Sequence, residues 1–381
     1  MSIQSTLEEN IRERILKAQR IMQAQGIGAL FIPAQAAPDM MGMAKYFTNL
    51  QLWSGPAWVV LGSQDPNPAL IIASPYAAAW NRCEALTPWV ESPELDALGR
   101  AIEIVRSSAG QEKRIGVEHL STTWKKGDWD RLTATLSDYD LVDITQALNE
   151  LRAIKSPFEI EEIRAMGHLM AEAFSAFEAV AAPGVRVWDA AAAAEGFLKS
   201  RGCLWGRTKL SFDLSPQTIP TPLDQRFAEQ DVFVFEIVYT SPLGYWSEVA
   251  RLFSFQSLPV DLQTQIEAQE KVILKAAAHA KTGFRIGDLD AVNAKTWRDL
   301  GFTVVGAHTP HAHSIGLDNC DGPSSEATPD ALLPTDMVLS FHPSTLLEGN
   351  RAFLISDNYQ ITPSGAVQLS PMKEICRRIG F

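Results

Sequence analysis

Glu236 closes the run Asp231-Val-Phe-Val-Phe-Glu236 and is followed by Ile237, so it belongs to an apolar strand-like stretch whose other residues seek a core. A carboxylate there is costly to bury alone, which favours a partner or a ligand. Three more ionisable groups stand in similar settings. Glu248 follows Gly244-Tyr245-Trp246-Ser247, with Arg251 close behind; His313 sits in Ala312-His313-Ser314-Ile315-Gly316; His342 ends Met337-Val-Leu-Ser-Phe-His342 ahead of Pro343. Glutamate and histidine can ligate a divalent metal, and two histidines with a carboxylate suit one ion with open positions. The same side chains serve as general acids and bases. Each also has a plainer reading: His313 as a buried structural histidine, His342 as a packed residue at a strand end, and Arg251 as the partner of a carboxylate before it is a substrate contact. Trp53, Trp205, Tyr245 and Trp246 could line a pocket or simply fill a core. His308 and His311 read as solvated loop residues.

Two kinds of segment must position these groups. In the first part, a helix near Ile11 to Gln25 precedes the apolar runs ALFIP, AWVVLG, ALIIAS and RIGVEH, with polar helices between them, which predicts an α/β domain over residues 1–150. Ser156-Pro157, followed by Glu159, Glu161 and Glu162, is a helix start, with Ser as the cap, Pro in the first turn and acids at the positive end of the dipole. The second domain is placed over 151–381. Within it, Gly184-Val-Arg186-Val-Trp-Asp189 opens a segment closing at Gly202, and Gly283-Phe-Arg285-Ile-Gly-Asp288 opens one closing at Gly301. Equal spacing predicts two related αβ halves, each with a turn, an Asp cap and a helix. The runs VFVFEIVY, ARLFSF, MVLSFH and FLISDNYQIT supply a curved antiparallel sheet for those helices to cover.

Bulk properties narrow the partners. The chain has 381 residues, 46% hydrophobic and 20% charged, with a net charge of -12. That balance opposes the nucleic acid backbone, and no Lys/Arg stripe offsets it. No apolar run approaches the roughly 20 residues of a membrane span. The N-terminus lacks the features of a secretory signal, so a cytoplasmic location is the expectation. Cys83, Cys203, Cys320 and Cys376 form no CxxC pair and read as reduced thiols. A small-molecule substrate is the expected partner.

The linker LRAIKSPFEIEEIR, the PGVRVWD turn and the order of the later motifs resemble the creatinase, aminopeptidase P and prolidase family, which folds as a pita-bread domain behind a smaller α/β domain. The resemblance implies metal ligands in the order Asp, Asp, His, Glu, Glu. Placed by their surroundings, those positions hold Glu236, Glu248, His313, His342 and Ser356 here. Ser356 cannot bridge two ions, so the expectation is one divalent ion (iron, zinc or manganese) on Glu236, Glu248, His313 and His342, or none. The family's proton-handling histidines are replaced near Ile219 and by Cys320-Asp321. These departures point to a non-peptidase hydrolase cutting a C–N bond of an amide or amidine, with those four residues as catalytic or ligating groups and Tyr245, Arg251 and Trp53 on the substrate. A mononuclear lyase or oxygen-using enzyme and a binding module without activity are the rivals. The resemblance also implies a homodimer in which the Tyr46–Trp53 stretch contributes to the partner's pocket.

Overall fold

A computed structural model describes residues 3–37, 39–118, 124–214, 219–307, 312–349 and 352–380. His308 and His311 lie outside the described residues. The chain divides into two compact units, 1–152 and 153–381.

The first unit begins with α1 (Ile3–Ala24), which starts well before the expected Ile11. Leu7 extends the buried stripe of Ile11, Ile15, Ala18 and Met22 by one more turn, so the helix gains burial by reaching back. There follow β1 (Ala29–Gln35), α2 (Gly42–Thr48), β2 (Pro56–Gly62), β3 (Ala69–Ile72), α3 (Pro75–Glu84), β4 (Trp89–Glu91), α4 (Ala97–Ala109), β5 (Arg114–Val117), α5 (Lys126–Thr135), β6 (Asp140–Asp143) and α6 (Thr145–Ala153). The strands form one mixed sheet in the order β4-β3-β2-β1-β5-β6. Phe31, Val60, Ile71 and Ile115 of the sheet pack with Ile102 and Val105 of α4.

The second unit opens on α7 (Pro157–Glu178), whose start is a capping box: Ser156 Oγ accepts from the Glu159 amide, and the Glu159 carboxylate accepts from the Ser156 amide. Then come α8 (Val187–Ser200), β7 (Gly206–Ser211), β8 (Val232–Thr240), β9 (Trp246–Ser254), α9 (Val260–His279) and α10 (Asp288–Asp299). The chain ends through β10 (Val304–Ala307), β11 (Ala312–Ser314), β12 (Val338–Phe341), β13 (Thr345–Leu347), β14 (Asp357–Thr362), β15 (Gly365–Gln368) and β16 (Cys376–Arg378). Two four-stranded sheets result, β16-β9-β8-β7 and β11-β12-β14-β15, and β10 pairs with β13. An isolated bridge between Ala250 of β9 and Ser356 joins the two sheets.

The repeat seen in the sequence is a structural repeat. Gly184 and Gly283 open α8 and α10 with φ of 87° and 80°, and Gly202 and Gly301 close them with φ of 85° and 87°, a left-handed geometry that favours glycine. The expected Asp caps are not formed. Arg186 sits three residues before Asp189 and takes its carboxylate at 2.8 Å, while Asp288 is already the first residue of α10 and faces Arg285 at 3.8 Å.

Alternation along β8 and β9 decides what faces the site. Phe233, Phe235, Ile237 and Tyr239 of β8, with Val249 and Phe253 of β9, pack against Met170, Phe174 and Phe177 of α7. The residues between them, Val234, Ala250 and Leu252, join the other core, with Ile266 and Ile273 of α9 and Leu339 and Phe341 of β12. Glu236 and Glu248 have that second parity, so the period of two turns both toward the other sheet.

Candidate active site

The cluster stands on three strands. Glu248 comes from β9, His313 from β11 and His342 from the residue after β12, and β11 pairs with β12 so that His313 lies opposite Ser340. His313 and His342 stack with ring centroids 5.1 Å apart and 22° between planes. Their Nε2 atoms are 3.1 Å apart, and Glu248 Oε2 lies 3.5 Å from His313 Nε2 and 3.7 Å from His342 Nε2. Ser340 Oγ is 3.0 Å from His342 Nε2 and 3.5 Å from Glu248 Oε2, so one hydroxyl steadies two members. Gly316, just past β11, accepts the Trp246 amide at 2.7 Å and leaves no space for a side chain, because a Cβ there would run into the Asp321 carboxylate.

These spacings test the fit of a metal. Ligand atoms about 2.0–2.2 Å from a tetrahedral ion lie roughly 3.3–3.6 Å from one another. The observed 3.1, 3.5 and 3.7 Å bracket that edge, and the three ligand atoms fall within 4.8 Å of each other. Two imidazole nitrogens and one carboxylate oxygen thus fit one divalent ion. Among the described residues no second group of three ligating side chains is gathered. Glu236 was expected among the ligands but lies outside this cluster, because its Oε2 is held at 2.7 Å by Lys209 Nζ. Ser356 offers a buried hydroxyl with no charge.

The electrostatics divide the two glutamates. Burial works against ionising Glu248, but His342 and His313 overcome it and hold its carboxyl well below the usual range. Glu236 moves the other way: burial and the Glu248 carboxylate beside it raise it to about 8, against the pull of Lys209. Burial also opposes charge on His313, yet Cys320 and Glu248 outweigh it and raise the imidazole well above its ordinary value. Cys320 Sγ lies 4.0 Å from His313 Nδ1, whereas the neighbouring Asp321 is tied up in a buried ion pair with Lys155 at 3.0 Å.

The residues expected on the substrate are placed differently. Arg251 is 1% exposed and donates to the Ala250, Ser356 and Met372 carbonyls and to the Asp357 carboxylate, so it clamps strands together. Tyr245 is 1% exposed and sits in the Ser241–Tyr245 turn ahead of β9. Trp53 belongs to the first unit, where it is exposed and packs on Trp80 at 4.2 Å between centroids. Lys209 and Ser340 were missed. Ser340 had a faint signal, two residues before His342 and therefore on the same strand face; Lys209 had none, because only the pairing of β7 with β8 sets it opposite Glu236.

Residues 161–363 match metallopeptidase family M24, and residues 14–154 match the creatinase/prolidase N-terminal domain. The chain belongs to metallopeptidase family M24. Within the family it is 25% identical over 234 residues to a putative dipeptidase, YkvY of Bacillus subtilis (strain 168), a match covering 60% of this chain and 63% of that protein. It is 24% identical over 263 residues to the uncharacterized peptidase YqhT of the same strain, covering 66% and 71%. The chain thus spans less than two thirds of YkvY. The X-Pro aminopeptidase of Thermotoga maritima MSB8 superposes with a TM-score of 0.80 at 19% identity, over 96% of this chain and 99% of that one. The prolidase of Pyrococcus horikoshii OT3 does so with a TM-score of 0.76 at 18% identity, over 96% and 99%. Both show the pita-bread fold behind a creatinase-like domain. Membership of a metallopeptidase family implies a divalent metal. It also corrects the expectation of a non-peptidase amide or amidine hydrolase, together with its lyase, oxygen-using and binding-module rivals: the match is to a peptidase family whose similar members are named peptidases, and altered ligands alone did not warrant leaving that class. Among the described residues no helix is long and apolar enough to cross a membrane.

Proposed function

We propose that this M24 protein hydrolyses the amide bond of short peptides, dipeptides above all, with one divalent ion held by Glu248, His313 and His342. The observation that carries the reading is the convergence of His313 Nε2, His342 Nε2 and Glu248 Oε2 at tetrahedral spacing. Bound there, a divalent ion supplies positive charge to polarise an amide carbonyl and to acidify water. Glu248 contributes a carboxylate that stays ionised, and Ser340 keeps it and His342 in register. Glu236, whose carboxyl is raised to about 8, holds a proton near neutral pH and is the donor to the departing amine in this reading. The substrate class follows YkvY, named a putative dipeptidase, and the Xaa-Pro peptidases that share the fold. A homodimer belongs to the same proposal, and light scattering behind a sizing column tests it.

The deciding experiment loads purified protein with manganese or zinc, counts the retained metal by plasma mass spectrometry, and follows amino acid release from a dipeptide panel that includes Xaa-Pro. Hydrolysis by protein carrying its ion, lost together with the ion in His342→Ala, is the expected result. Loaded protein that leaves every dipeptide intact would sink the proposal.

A further inference from the structure

Four residues form a row across the joined sheets. Lys209 of β7 pairs with Glu236 of β8, Glu236 pairs with Ala250 of β9, and Ala250 is bridged to Ser356. Residues directly opposite one another on adjacent strands point to the same face, so Lys209, Glu236 and Ser356 all turn toward the face from which Glu248 projects. The two ends of the row have complementary chemistry. At one end Lys209 Nζ lies 2.7 Å from Glu236 Oε2, with the glutamate side chain 1% and the lysine side chain 18% exposed. At the other, Ser356 Oγ is buried without a hydrogen-bond partner and carries no charge.

We infer that Lys209 is a built-in cation standing where a second metal ion would otherwise sit, so that this chain works with one ion and one ammonium. The inference rests on the one-ion reading above. Its physical basis is twofold. First, the ammonium holds Glu236 Oε2 at 2.7 Å and sets a positive charge beside the remaining oxygen, Oε1, and a residue fixed by strand register, rather than by a loop, does not easily withdraw. Second, the ledger of charge permits no more. Lys209 already brings a positive charge beside Glu236, so a divalent ion at that end of the row would face a neighbouring cation. Ser356 supplies no further anion. Lys209 is therefore a positioning residue: it holds Glu236 beside Glu248 and keeps the second site closed.

Metal stoichiometry reads this without any assay of turnover. Metal-free protein is titrated with Mn²⁺ in a calorimeter, and bound metal is counted after gel filtration. The wild type should saturate at one ion, and Ser356→Glu should stay at one because Lys209 still holds Glu236. The double variant Lys209→Ala with Ser356→Glu, checked for folding by circular dichroism, should reach two. A wild type that takes two ions, a Ser356→Glu variant that reaches two with Lys209 in place, or a folded double variant that stops at one overturns the inference while leaving peptide hydrolysis standing. If the double variant fails to fold, the wild type and Ser356→Glu still decide, one ion in each supporting the inference. A wild type that binds no ion overturns both this inference and the one-ion reading.

Discussion

The two ends of the site solve the same electrostatic problem in opposite ways. Around Glu248, the two imidazoles His313 and His342 converge with the carboxylate and leave a position shaped for a metal. Around Glu236, the carboxylate meets a lysine of the next strand, and the group beyond Ala250 is only a hydroxyl. Burial is nearly complete at both glutamates, so burial alone does not separate them. What separates them is the kind of cation the neighbouring strand supplies. Imidazoles share a metal; an ammonium replaces one.

The largest expected effect breaks both ends together. Arg251 ties β9, which carries Glu248, to Ser356 and Asp357, and removing it strips the cation from a buried carboxylate that keeps only neutral donors from Gln368, Ser370 and the Asn358 amide. Arg251→Ala should lower unfolding stability by about 3–5 kcal/mol in a urea titration. A loss below about 1 kcal/mol would mean that the two sheets hold the row without this clamp.

His342→Ala sharpens the contrast, since it should weaken zinc binding by at least about 100-fold, roughly 3 kcal/mol, while Lys209 stays paired. Calorimetry checks the affinity, and unchanged affinity would remove His342 from the ligand set.

Lys45 of the first unit gives the opposite case of a buried lysine. It is 6% exposed, its Nζ reaches the Leu50 carbonyl at 3.5 Å, and burial lowers it to about 7, with Glu84 opposing. Its folded value lies below its unfolded one, so between about pH 7 and 10 the unfolded chain binds more protons and stability rises with pH. Lys45→Met should flatten that rise and add on the order of 2 kcal/mol at neutral pH. Thermal unfolding across the pH range checks this, and an unaltered slope in the variant would assign the rise to other groups.

The smallest effect is at Ser340. Ser340→Ala removes the hydroxyl between His342 and Glu248 and should cost about tenfold in ion affinity with little change in fold stability. No change by calorimetry would mean the stacked imidazoles hold their geometry alone.

Local signals accounted for much of this protein. The Ser156-Pro157 start, the glycine-bounded repeat and the alternation of β8 and β9 are contacts between near neighbours or consequences of backbone period, and they are written in adjacent residues. The types and positions of Glu248, His313 and His342 were likewise legible, because the first two stand in strand-like runs and the third directly follows one. Reading function from the altered ligands went astray, since residue types report what a site can hold and not which bond it cuts. Tertiary structure alone decided which carboxylate was available. Glu236 and Glu248 look alike in sequence, both inward-facing acids in apolar strands, yet strand pairing sets Lys209 against one and two histidines against the other. That choice depends on register between segments distant in the chain, and register is fixed by hydrogen bonding and packing across the whole sheet, which no local stretch of sequence records.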